Sequence, residues 1–348
     1  MRILITDDSV FMRSAIGRVL EQQPDFQVVG KASDGRAAVE MAKTLRPDVI
    51  TLDIEMPEMD GLTALRRIMR EAPTQVLMCS TLTTQGSVQS LQALRLGAAD
   101  VIPKETSTDP EAKQRFLEDL IRRVRGLGEH KQEADRQPAE PDTAATAAPR
   151  LNQRDFDLLC IGSSTGGPPV LEKILPALPA DLGLPVVVAQ HMPRMFTESM
   201  AKRLGELCTL PVVHGQDRMP LQAGRIHIAP GGEHTRIDRL SLNQRQIRVG
   251  PDPVEALYMP SADVLYQSAA RLCGKRVLGV ILTGIGHDGV EGAADLHRAG
   301  APMLAQNRAS CVVYGMPKAV VDAGYATAVL HPDQIAQTLS QLTARAAA

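Results

Sequence analysis

From Met1 to about Gly126, short apolar runs alternate with stretches whose apolar residues recur at helical spacing. Residues 3–6, 27–32, 48–52, 76–79 and 101–102 read as strands, and residues 10–22, 35–44, 62–71, 86–96 and 111–125 as helices. Strict alternation of this kind predicts a parallel sheet wound on both faces by helices, with functional groups at the carboxyl ends of the strands. The periodicity then fades between residues 127 and 154, where Ala, Glu, Pro, Asp and Thr dominate and few large apolar residues remain. Such a composition predicts a linker.

Beyond it the alternation resumes. Residues 158–161 and 185–189 are apolar runs, and residues 276–283 form the longest buried-strand signal in the chain. Helical spacing covers residues 168–178, 196–207, 261–273, 316–323 and 334 to about 346, while residues 224–232 and 246–249 predict a hairpin. The expected architecture is two α/β domains. Residues 1–126 form a doubly wound, five-stranded parallel domain, 127–154 a linker, and 155–348 a doubly wound, mainly parallel domain with a small hairpin.

Composition adds exclusions. At 348 residues the chain is long enough for two domains. Its net charge of −2 and lack of any long block of like charges give no footprint for nucleic acid. No apolar run approaches the length of a membrane span, so a cytoplasmic protein without direct membrane insertion is expected. The five cysteines are widely spaced and include no C-x-x-C pair, which predicts buried reduced thiols.

Charged and hydroxylic residues stand at the expected strand ends of the first domain: Asp7 and Asp8 after the first strand, Asp53 after the third, Ser80 after the fourth and Lys104 after the fifth. Singly, these are turn residues and a loop charge. Together, three carboxylates, a hydroxyl and an ammonium suit Mg²⁺ plus a phosphoryl group. The segments ITDDS, TLDIEMPEMDG, LMCST and DVIPK resemble the receiver domain of two-component response regulators. The resemblance implies that Asp53 accepts a phosphoryl group from a histidine kinase. It also implies Mg²⁺ held by Asp7, Asp8, Asp53 and the backbone carbonyl of Glu55, with Ser80 as switch hydroxyl and Lys104 as phosphate-pairing cation. Two positions depart from the family: Pro103 precedes Lys104 where the family has a proline after the lysine, and Val101 occupies the usual aromatic switch position.

In the second domain the run 158–161 ends in Gly162-Ser163-Ser164-Thr165-Gly166, a G-x-S-x-G pattern that places Ser164 on a sharp strand-to-helix turn. His191 follows the next strand, and Asp288 lies in the glycine-rich turn after the strongest strand signal. A serine needs an imidazole to take its proton and an acid to orient that imidazole. Backbone N–H groups at Thr165 and near Ile285 are candidate oxyanion donors. Alternatives remain at this stage: His287 rivals His191, His214, His227 and His234 are further histidines near strands, and Asp288 could simply stabilise its own turn. A phosphate-binding turn is the rival for the glycine-rich elbow, although G-x-G-x-x-G and the P-loop pattern are absent.

IGSSTGG, AQHMP, IAPGG, GVILTGIGHDG and LAQNRASCVVYGMP, with the receiver before them, resemble the chemotaxis response-regulator protein-glutamate methylesterases. That resemblance implies Ser164 as nucleophile, His191 as base, Asp288 as orienting acid, and the N–H groups of Thr165 and Ile285 as the oxyanion hole. It further implies hydrolysis of glutamate γ-methyl esters on the cytoplasmic helices of chemoreceptors, glutamine deamidation, and no cofactor for the esterase reaction. His287 replaces the asparagine of the family's turn. A monomer is expected, with access to Ser164 controlled by phosphorylation of the receiver. The competing function is a phosphorylation-dependent docking module with a catalytically silent output domain; a DNA-binding regulator lacks a basic recognition helix.

Overall fold

A computed structural model describes residues 1–81, 83–105, 109–136, 149–241, 244–253, 256 and 258–342. The chain divides into two compact units, 1–138 and 139–348.

In the first unit β1 (Arg2–Thr6), β2 (Gln27–Ala32), β3 (Val49–Asp53), β4 (Gln75–Ser80) and β5 (Asp100–Pro103) form one parallel sheet in the order β2-β1-β3-β4-β5. Between them run α1 (Val10–Glu21), α2 (Gly35–Leu45), α3 (Gly61–Glu71) and α4 (Thr84–Arg95), with α5 (Pro110–Arg136) last. Each of the first four helices begins at a polar residue, Ser9, Asp34, Asp60 or Thr83, whose side chain accepts an N–H from the first turn. The central strand β3 is buried along its whole length, which is why it reads as an unbroken apolar run ending in a carboxylate. Helix α5 continues ten residues past the boundary expected at residue 126. Leu120, Val124 and Leu127 keep one face buried, and Lys131 donates to Thr74 Oγ1 at 2.8 Å. Of the expected linker 127–154, residues 137–148 lie outside the described residues, and Asn152 caps a short 3₁₀ turn, Gln153–Asp155.

The second unit opens with β6 (Leu158–Ser163), α6 (Gly167–Ile174), β7 (Val186–Gln190), α7 (Arg194–Leu207), β8 (Val212–His214) and β9 (Ile226–Ile228). A hairpin, β10 (His234–Arg239) and β11 (Arg245–Gly250), precedes α8 (Ala262–Cys273) and β12 (Val277–Ile281). Then come α9 (Val290–Arg298), β13 (Met303–Gln306), α10 (Met316–Asp322), β14 (Ala328–Leu330) and α11 (Pro332–Ser340). Seven strands make a parallel sheet in the order β14-β13-β12-β6-β7-β9-β8.

The predicted hairpin is corrected in one arm. Residues 226–228 pair in parallel with β7 and β8, and the true partner of β11 is β10. Helix α11 ends at Ser340, and residues 343–346 of the longer helix expected there lie outside the described residues. Burial is complete along β6, β7 and β12, which stand side by side at the centre of the sheet.

Candidate functional site

Ser164, His191 and Asp288 follow β6, β7 and β12 respectively, so the middle strand of an adjacent trio carries the serine. Ser164 leaves the sheet sharply. Its N–H donates to the Thr283 carbonyl at 3.0 Å and its own carbonyl accepts from Gly167 N–H at 2.8 Å. Gly166 turns the chain into α6 at φ +77°, a region that strains any residue with a Cβ. The two serines have different environments: Ser163 Oγ donates to Gln190 Oε1 at 2.6 Å, and Gln190 Nε2 donates to the Ser164 carbonyl at 2.9 Å. Ser163 thus braces the turn that carries Ser164.

The His191 N–H is bound to the Ser163 carbonyl at 3.0 Å, which holds the residue beside the serine turn. Its Nε2 lies 2.7 Å from Asp288 Oδ2. Asp288 also accepts from Ser261 Oγ (2.7 Å), Ala262 N–H (2.6 Å) and Asp263 N–H (3.2 Å) at the start of α8. Burial opposes its ionisation, but the bonds from His191, Ser261 and Ala262 outweigh burial and hold the carboxyl well below its usual range. An ionised carboxylate can only accept, so Nε2 carries the imidazole proton. Nδ1 is then a bare acceptor, buried and without a hydrogen-bond partner among the described residues, Ser164 Oγ included. The assignment of ring nitrogens is reversed from that of the chymotrypsin-type triad, where Nδ1 faces the acid.

The rival histidines are committed elsewhere. His214 Nε2 meets Thr197 Oγ1 (3.0 Å), His227 Nδ1 meets the Val186 carbonyl (3.1 Å), and His287 is exposed. His234 spans the Pro253 carbonyl through Nε2 (3.1 Å) and accepts Ser261 N–H at Nδ1 (3.3 Å), behind the cap that binds Asp288.

Glycine brings the turn containing Ile285 up to the serine. A Cβ on Gly284 would lie 2.7 Å from Ser164 Cβ and 2.2 Å from Met316 Sδ. Thr283, fully buried, donates from Oγ1 to the Thr165 carbonyl (2.9 Å) and accepts from Val312 and Val313 N–H (3.1 Å each). One hydroxyl therefore ties together the turns that carry Thr165 and Ile285.

Two neighbours carry no motif in the sequence. The Tyr258 ring lies on the His191 ring, centroids 4.3 Å apart and planes 9° from parallel. Asp263 stands beside Asp288, and burial, followed by the charge of Asp288, pushes its carboxyl well above the usual range. A lone tyrosine between unremarkable residues gives no periodic signal, and Asp263 falls inside the helical span without a motif of its own.

In the first unit Asp7, Asp8 and Asp53 each offer a carboxylate oxygen within 4.8 Å of the others. Lys104 Nζ lies 2.7 Å from both Asp7 Oδ2 and Asp53 Oδ2. Burial pushes the Asp53 carboxyl up to about 6, against the pull of Lys104 and with the help of Asp7. An all-oxygen donor set around a carboxylate that its own surroundings leave poorly stabilised fits a hard cation such as Mg²⁺. Glu55 N–H reaches Asp53 Oδ1 at 3.4 Å, placing that residue in the loop beside the cluster. Ser80 Oγ donates to the Gly86 carbonyl at 3.1 Å, and Val101 is buried. Pro103 pairs with Ser80 at the end of β5, and Lys104 N–H donates to the Ser80 carbonyl at 2.7 Å, so the altered proline position still delivers the lysine to the carboxylates. Among the described residues no helix is long and apolar enough to cross a membrane.

Residues 159–339 match the family described as CheB methylesterase, and residues 3–113 match the response regulator receiver domain. A protein-glutamate methylesterase/protein-glutamine glutaminase from Oleidesulfovibrio alaskensis is 43% identical over 97% of this chain and 98% of the relative. A second, from Nitratidesulfovibrio vulgaris, is 42% identical over 97% and 98%. The crystal structure of the Thermotoga maritima CheB methylesterase catalytic domain is similar with a TM-score of 0.52 at 35% identity, covering 53% of this chain and 98% of that one.

Proposed function

The chain belongs to the CheB methylesterase family, joined to a response-regulator receiver, and we propose that it hydrolyses glutamate γ-methyl esters on chemoreceptors under the control of phosphorylation at Asp53. Ser164 Oγ attacks the ester carbonyl while His191 Nδ1 takes its proton. Asp288 stays ionised and stabilises the imidazolium through Nε2–H. The oxyanion is met by the N–H groups of Thr165 and Ile285, each such donor contributing about 3 kcal/mol in comparable sites. Collapse expels methanol with the proton from His191. Water, activated by the same imidazole, then attacks the acyl-enzyme and releases a glutamate carboxylate. A glutamine side chain enters the same sequence with ammonia as leaving group, which accounts for deamidase activity.

The observation that carries this reading is the buried His191 ring, bound at Nε2 by a carboxylate and left with an unpartnered acceptor at Nδ1, on the sheet edge that presents Ser164. A silent docking module would have no use for that arrangement, and the relatives named above are enzymes.

In the receiver, Asp53 takes the phosphoryl group from a histidine kinase. Asp7, Asp8, Asp53 and the Glu55 carbonyl would hold Mg²⁺, which would supply charge neutralisation for that transfer. Lys104 pairs with the added phosphate, and Ser80 leaves the Gly86 carbonyl to bond it. The protein acts in the cytoplasm as a monomer. The deciding experiment is methanol release from methylated receptor, with and without a small phosphodonor. Wild type should respond to the donor, Asp53→Ala should not, and Ser164→Ala should release none; normal release by Ser164→Ala overturns the assignment.

A further inference from the structure

The hydrogen bond from His191 Nε2 to Asp288 fixes one edge of the imidazole. A single bond of that kind is a hinge, about which the ring plane can still tilt. The direction of the Nδ1 lone pair lies in the ring plane, so tilting re-aims the proton acceptor without breaking the bond to the acid. Tyr258 covers a face of this ring at 4.3 Å, within 9° of parallel. The same tyrosine also reaches the turn after β12, since a Cβ on Gly286, one residue after Ile285, would lie 3.0 Å from its hydroxyl oxygen. Three and four residues later in the chain, Ser261 Oγ and Ala262 N–H bind Asp288. The run from Tyr258 to Ala262 thus touches the base on its face and the acid on both oxygens.

We propose that Tyr258 is a positioning residue for proton transfer, setting the plane of the His191 ring so that Nδ1 is aimed at Ser164 in acylation and at water in deacylation. The inference rests on the esterase reading given above. Stacking on an electron-rich ring face also favours the imidazolium formed in each transition state, and it excludes water from that face. An aliphatic side chain of similar bulk fills the space without defining a plane.

The test uses the full chain in three variants assayed for methanol release from methylated receptor. Tyr258→Phe keeps the ring and should stay within about 3-fold of wild type. Tyr258→Leu should lower kcat by about 10- to 100-fold, the scale expected for a misaimed catalytic group, with KM little changed. Ser164→Ala, run alongside, should be inactive. A structural role alone predicts that Phe and Leu differ only as their melting temperatures do. The ¹³C–¹H resonances of the His191 ring give a second readout: the upfield shift imposed by a stacked ring should persist in Tyr258→Phe and vanish in Tyr258→Leu, even if the latter is less stable. Wild-type kcat in Tyr258→Leu, or an equal fall in Tyr258→Phe, overturns the proposal while leaving the esterase reading intact. Activity in Ser164→Ala overturns the esterase reading instead.

Discussion

Gly284 approaches Ser164 so closely that a Cβ on the glycine would stand 2.7 Å from the serine Cβ, a distance that real side chains do not tolerate. Met316 is fully buried and must shift its thioether to admit the added methyl, while Ser164 is held by backbone bonds on both sides and cannot yield without moving its hydroxyl. Gly284→Ala should therefore lower kcat/KM by about 100-fold, the usual penalty for displacing a reacting group by an ångström or so. The stability cost of overpacking should be about 1–3 kcal/mol. Methanol-release kinetics and thermal melts of the same preparation check both; an active Gly284→Ala enzyme would show that this contact does not aim the serine.

Asp288 has two duties, orienting His191 and accepting N–H and O–H groups at the start of α8. Asp288→Asn replaces an acceptor by a donor facing those groups. A fall in kcat of about 10⁴-fold is expected from the lost imidazolium partner. Unlike a purely orienting acid, its replacement should also destabilise the fold, by about 2–3 kcal/mol for lost bonds to a charged acceptor. Ser261→Ala, which removes one of the four donors, should show a smaller loss of both. Equal stability of Asp288→Asn and wild type in denaturant titration would count against the capping role.

For Asp53 the sign of the pH effect follows from its raised carboxyl, about 6 in the fold against an ordinary value near 3.8. Between those values the folded receiver keeps a proton that the unfolded chain has lost. Wild-type stability relative to Asp53→Asn should then fall as pH rises from about 4 to 6 and level off above, by on the order of 3 kcal/mol in total. Mg²⁺ favours the ionised form and should shrink or reverse the difference above pH 6. Calorimetry of the full chain, following the receiver transition in both proteins with and without Mg²⁺, reads this directly; a difference independent of pH rejects it.

All five cysteines are thiols, four buried and Cys208 half-buried. Burial pushes up the thiols of Cys160 and Cys273, that of Cys79 to about 12 and that of Cys208 to about 11. None should react appreciably with a thiol reagent at pH 7.5 until the protein is unfolded, and methanol release should survive iodoacetamide. Rapid inactivation by that reagent would point to a thiol at the reaction centre.

The central strands were legible because strands buried on both faces read as continuous apolar runs, and the residues that end them, Ser164, His191 and Asp288, stand out by chemistry. Edge strands gave weaker signals: β8 has three residues, all half-buried, and β14 is equally short. Residues 226–228 looked like a hairpin arm because a Pro-Gly-Gly turn follows them, whereas pairing with β7 is a tertiary fact. The length of α5 was weakly legible because its last turns are polar and are held by side-chain bonds to distant residues, Lys131 to Pro47 and Thr74 and Gln132 to Asp48. Tyr258 and the bonds of Ser261 to Asp288 span 27 residues or join loops, and no local pattern reports them. The choice of His191 nitrogen likewise depends on where the acid lies in space.

The placement of β6 between β7 and β12 also sets a timetable for the enzyme during its own synthesis. Asp157 and Arg276, which flank the starts of β6 and β12, are bonded at 2.7 Å across 119 residues of chain, and 97 residues separate His191 from Asp288. At about 5–20 residues per second a ribosome makes the serine and the histidine several seconds before the acid. Until β12 docks, the nascent chain has neither the Asp288 carboxylate that binds His191 nor the Gly284 turn that meets Ser164. A product truncated before residue 277 lacks Asp288 and the Gly284 turn, so under the proposed mechanism it should not release methanol, and the strand that completes the centre of the sheet should bring both together.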